Sequence, residues 1–87
     1  MIVALSFPNL ARSYDTKNQC VRFVGYDGMF QVFFSIAVTA ISSTRLESEE
    51  DYLKAFDGSR AAIQTVATRK YESSRANVYS LTTRDFP

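Results

Sequence analysis

VRFVGYDGMFQVFFSI, residues 21–36, decides the architecture, because it reads as two strands around one tight bend and its apolar residues agree on a single register. Asp-Gly between alternating runs is a hairpin signal, since a type I′ turn needs positive φ at both central positions, which Gly accepts freely and Asp tolerates. With Asp27 and Gly28 as the whole turn, Phe23 is expected opposite Val32 and Val21 opposite Phe34. Residues opposed across an antiparallel pair share a face. Val21, Phe23, Phe30, Val32, Phe34 and Ile36 then line one side, and Cys20, Arg22, Val24, Gln31, Phe33 and Ser35 line the other. A slip of one residue would reverse every side chain, so the pattern specifies the faces strongly.

Working outward, residues 2–7 alternate as a strand with Val3, Leu5 and Phe7 on one side, ended by the Pro8-Asn9 turn signal. The stretch LARSYDTKNQ, residues 10–19, is polar and turn-rich; residues 15–18 are expected to close a second hairpin that lays the first strand beside residues 20–24. After Ile36 the alternation stops, and Val38, Ile41 and Leu46 among Ser and Thr suit a short helical turn or connector. From Ser48 the helical signals accumulate. Ser48 and Asp51 form a capping-box-like pair, acidic residues fill the first turn, and Leu53, Phe56, Arg60, Ile63, Ala67 and Lys70 recur at three- and four-residue spacing. One long helix over residues 48–72 is expected, with Gly58 inside it costing about 1 kcal/mol relative to Ala.

NVYSL, residues 77–81, returns to alternation and is expected in the same sheet. The closing TTRDFP suits a helical turn capped by Thr82 or Thr83, with Phe86 folding back on the domain. The fold class is therefore α+β: a small antiparallel sheet of about four strands in the order β-β-β-short helix-long helix-β, with the long helix packed on one face. Neither an internal repeat nor a composition shift divides the chain, and residues 1–87 read as a single domain.

Composition narrows the function classes. At 46% hydrophobic and 22% charged the chain is ordinary for a globular domain and unlike a disordered one. A net charge of +1 lacks the positive excess that drives nonspecific nucleic-acid binding through counterion release. A single Cys and no His leave neither an intramolecular disulfide nor the usual structural zinc sites, so no metal or cofactor is expected. Cys20, with no His to activate it, is expected to pack as a small hydrophobe. The opening MIVALSFPN lacks a charged n-region and its apolar run is too short for a secretory signal or a span; a cytoplasmic location without membrane association is expected.

RSYD (residues 12–15), CVRFVGYDGM (20–29), VFF (32–34), AFDGSR (55–60) and YSLTTRDF (79–86) together resemble a small bacterial family, domain of unknown function 1488, in order and spacing over residues 6–86. In that family an aromatic, often Trp, is expected where this chain has Val24, and a bulkier Ala-Leu pair near Ala40-Ile41. The resemblance implies a compact, free-standing α+β domain. It carries no established activity, cofactor or catalytic residue, so none is transferred.

Two constellations compete as sites. The second hairpin face, with Arg22, Val24, Gln31 and Phe33, is less polar than a wetted sheet surface, and a single long helix leaves half the sheet without cover unless residues 37–46 or the tail around Phe86 fold over it. That face is the candidate surface for a protein partner or a second copy of the chain. Arg60, Arg69, Lys70 and Arg75, near Tyr71, form the alternative: a small basic and aromatic patch for an anion or a nucleic-acid backbone, in a binding or regulatory module. Arg60 interrupts the apolar stripe, so it must reach water or pair, with Asp57 three residues earlier and Asp15 or Asp27 as the carboxylates on offer. The Tyr14-Asp15 and Tyr26-Asp27 steps are explained by turn chemistry. No nucleophile–base pair can be assembled, and the chain is expected not to be an enzyme.

Overall fold

The computed structural model describes residues 5–74 and 76–86. A mixed open sheet is built from β1 (Leu5–Ser6), β2 (Arg12–Asp15), β3 (Cys20–Asp27), β4 (Phe30–Ala37) and β5 (Val78–Leu81). Between β4 and β5 the chain forms α1 (Val38–Ile41), α2 (Glu49–Gly58) and α3 (Arg60–Ser74), and a 3-10 turn, Thr83–Asp85, closes it. The β3–β4 hairpin is the centre. β1 and β2 share its β3 edge, pairing antiparallel with opposite ends of that strand, and β5 lies along β4.

The hairpin turn falls one step later than Asp27-Gly28. Asp27 pairs with Phe30, so Gly28 and Met29 form the bend, and Gly28 carries the positive φ of 62°. Phe23 accordingly faces Phe34 and Val21 faces Ile36. The offset is two residues along β4, which preserves parity, so the sorting of faces holds: Val21, Phe23, Val32, Phe34 and Ile36 are all buried. Phe30 has the expected parity yet stands 78% exposed at the hairpin tip, beyond the helical cover.

Three further expectations are corrected. Arg12–Asp15 is a strand, and it is this segment that pairs with residues 20–23, whereas Leu5 and Ser6 meet Asp27 and Tyr26; residues 2–4 of the expected first strand lie outside the described residues. The last pairing, β4 with β5, is parallel, because the helices carry the chain back to the start of β4 before β5 begins. The long helix is two helices: Ser59, with φ −111° and ψ 12°, ends α2, and its carbonyl accepts from Ile63 N–H at 3.0 Å as α3 begins. Ser48 caps α2 as expected, its hydroxyl accepting from Asp51 N–H at 3.1 Å.

All three helices lie on one face. Phe23, Phe34 and Tyr79, neighbours on adjacent strands, stack at 5.2 and 5.4 Å between ring centroids, and Phe56 of α2 packs on Phe23 at 5.2 Å. Ile63, Ala67 and Tyr71 of α3 complete the core, with Ala40, Ile41 and Phe86 against it. Burial of this apolar surface is the main stabilising contribution, at about 25 cal/mol per Å². Gly25 admits close packing: a Cβ there would lie 2.8 Å from Phe7 Cε1, so the ring would have to shift.

Candidate protein-binding face

The connector after β4 and the tail around Phe86 both fold onto the helical side, so among the described residues no helix covers the other sheet face. Strand alternation and register arrange that face in rows. Val24 of β3, Phe33 of β4 and Val78 of β5 are direct neighbours in one apolar row. On one side of it lie Tyr26 and Gln31, joined by a 3.4 Å hydrogen bond from Gln31 Nε2 to Tyr26 Oη. On the other lie Ser13, Arg22, Ser35 and Ser80, with Ser35 and Ser80 hydroxyls 3.4 Å apart.

Phe33 is 48% exposed and Val78 65% exposed, so the row is a ridge open to water. Beside Phe33 the surface dips into a shallow, mostly apolar depression of about 250 Å³, walled by Ala11, Ser13, Arg22 and Val24. The charges of the face cancel locally: Arg22 Nη2 lies 2.6 Å from Asp15 Oδ2, and Asp15 also accepts from Asn18 N–H at 3.1 Å. Hydrogen bonds from Asn18 and from Arg22 hold the Asp15 carboxyl well below the usual carboxylate range. Cys20, at the end of the face, is buried, and that burial raises its thiol pKa, so it stays protonated.

All four residues proposed from sequence for this face, Arg22, Val24, Gln31 and Phe33, are brought together on it. Val78 was missing from that set. Its signal is the alternation of NVYSL, which turns Val78 outward once Tyr79 and Leu81 face the core.

The basic group is placed differently. Arg60 donates to Asp57 at 2.6 Å and to the Leu10 carbonyl at 3.1 Å, with its guanidinium 4.9 Å above the Phe56 ring, so it links the start of α3 to α2 and to the residue 10 segment. Asp57 is the expected partner; Arg12 is an additional one, meeting the same carboxylate from β2. Lys70 donates to the Ser80 carbonyl at 2.9 Å and pairs with Asp85 at 3.2 Å, fixing α3 to the end of β5. Arg69 is exposed and forms no ion pair among the described residues, and Arg75 lies outside them. Asp27 accepts from Tyr71 Oη at 2.6 Å. No cluster of three metal-ligating side chains occurs among the described residues, and none of their helices is long and apolar enough to cross a membrane.

A polar cleft of about 530 Å³ opens between the residue 42–48 loop and Tyr14 and Tyr52, whose rings are 5.8 Å apart. It holds hydroxyls, Arg45, Glu47 and Glu49.

The family described as a protein of unknown function, DUF1488, matches residues 5–82. A solved structure of a protein of unknown function from that family, from Shewanella loihica PV-4, superposes with a TM-score of 0.80 at 14% identity, covering 93% of this chain and 94% of its own. At that identity the likeness concerns the fold. No functionally curated protein matches the chain.

Proposed function

Because the chain belongs to the DUF1488 family, whose function is not established, we propose from its own geometry that it is a noncatalytic protein-interaction module that docks partners on the open sheet face. The observation that carries the reading is the Val24–Phe33–Val78 row, apolar and solvent-facing on a sheet whose opposite side carries the main core cluster. Water-exposed Phe and Val in a continuous row lose hydration surface on docking, and a central aromatic ringed by polar residues is the arrangement in which most binding energy concentrates. Tyr26, Gln31, Ser35 and Ser80 supply the polar rim. The nucleic-acid reading has less support, because Arg60 and Lys70 already neutralise carboxylates within the chain.

The test is affinity capture from the native cell with tagged wild type, Phe33→Glu and Arg69→Glu. Proteins retained by wild type and Arg69→Glu are expected to be lost from Phe33→Glu. Identical recovery by all three would end the reading.

A further inference from the structure

Resting on that docking face, we infer that its occupant is a second copy of this chain, packed face to face about a two-fold axis that runs along the β3–β4 seam between the two sheets. Three features of the face fit its own copy. The first is shape. Phe33 projects from β4 and forms one wall of the depression whose remaining sides, Ala11, Ser13, Arg22 and Val24, lie on the β2–β3 side of the same face. An axis along the seam exchanges the β3 and β4 sides, so each Phe33 ring enters the depression of the mate, and the Arg22 guanidinium in its wall offers a cation to the ring face.

The second feature is the pattern of rows. The same axis keeps position along the strands, so the apolar row meets the apolar row, Ser13 meets Ser80 and Arg22 meets Ser35. The third is charge. The ionisable pair on the face, Arg22 with Asp15, is internally neutral, so two copies approach without like-charge repulsion.

Area sets the strength. The 26 strand residues, each about 3.3 Å along and about 4.8 Å across, give a face of about 400 Å² per copy. Two such faces bury about 800 Å², in the range of weak and transient interfaces, so the dimer is a concentration-dependent one.

Sedimentation equilibrium of the full chain from micromolar to millimolar protein reads this directly. Wild type is expected to rise from the mass of one chain toward twice that mass, and Arg69→Glu to follow it. Phe33→Glu, which removes the knob, and Ser13→Trp, which fills the depression, are each expected to stay monomeric with unchanged circular dichroism. Both positions are exposed, so neither substitution enters the core. A wild type that remains monomeric overturns the inference, as does a Ser13→Trp and Phe33→Glu pair that both dimerise like wild type. If the monomeric wild type still recovers a partner that Phe33→Glu loses, only the self-pairing falls; if it recovers none, the docking face falls with it.

Discussion

Arg12 and Asp57, forty-five residues apart in the chain, meet in a two-point contact: Nε to Oδ1 at 3.0 Å and Nη2 to Oδ2 at 2.9 Å. The parallel geometry makes it a charge-assisted fork that fixes the β2 edge against the end of α2. Arg60 closes on the same carboxylate from the first turn of α3, so one side chain holds an edge strand and both helices around the Ser59 break. Both partners of the fork are about a third exposed, and water screens the pair. Arg12→Gln is therefore expected to lower stability by about 1 kcal/mol, within the range of well-formed surface pairs. A double-mutant cycle with Asp57→Asn, read from urea midpoints, checks it; a coupling energy indistinguishable from zero would show that the fork contributes nothing.

Acid should unfold the domain through three carboxylates. Asp15 is held low by hydrogen bonds from Asn18 and Arg22, Asp57 by those from Arg12 and Arg60, and Asp85 by the Thr82 N–H and then Lys70. Each folded value lies below the unfolded one, so between the two the unfolded chain binds more protons and stability rises with pH. The contribution is complete above the unfolded value, about 4, and is lost as pH falls through the folded values. Melting temperature measured from pH 7 to pH 2 is expected to hold steady and then drop below about pH 4. In Asp57→Asn the drop should be shallower, and an unchanged profile would remove Asp57 from the account.

How much of this was legible in the sequence follows from which forces act locally. The faces of β3 and β4 were legible because alternation records parity, and parity survives an error of two residues in the turn. The turn itself was misplaced because Asp-Gly is a local preference, whereas Asp27 stays in the strand, where it accepts from Tyr71 forty-four residues away. β2 was hidden for a similar reason: RSYD looks polar until Arg12 is matched with Asp57 and Tyr14 with Tyr52, both on a helix far along the chain. The parallel placement of β5 is likewise a product of tertiary packing. Of the site, the row around Phe33 was readable, but which side the connector and Phe86 would cover was not, because both are apolar enough for either face.

Phe56 is the residue whose loss the core should tolerate least. It is fully buried where α2 meets the sheet, packs on Phe23, and lies beneath the Arg60 guanidinium. Phe56→Ala leaves a ring-sized cavity among side chains already held in register, at a cost of about 3–5 kcal/mol. For a small domain with total stability of about 5–15 kcal/mol, that is a large share. Near-ultraviolet circular dichroism and a urea titration are expected to show a strongly lowered midpoint. Phe33→Ser, on the open face, should leave the midpoint within about 0.5 kcal/mol of wild type, the ordinary range for surface changes. Equal losses at the two positions would mean that the open face is part of the core.

Two glycines should respond in opposite directions to the same methyl group. At Gly25 the new Cβ would stand 2.8 Å from Phe7 Cε1, 3.2 Å from Leu5 Cδ1 and 3.3 Å from Phe34 Cε2. The Phe7 ring must shift from its packing on Phe23 and Phe34 to admit the methyl group, so Gly25→Ala is expected to destabilise by about 1 kcal/mol, the low end of the usual cost of overpacking. At Gly58 a Cβ meets nothing within 4 Å, and the residue is the helical end of α2. There the methyl group removes backbone freedom from the unfolded chain without any steric charge against the fold, and Gly58→Ala should stabilise by up to about 1 kcal/mol. Thermal melts of the two variants beside wild type check both signs. A stabilised Gly25→Ala would mean that Phe7 does not hold its place over β3, and with it the aromatic cover of that end of the sheet.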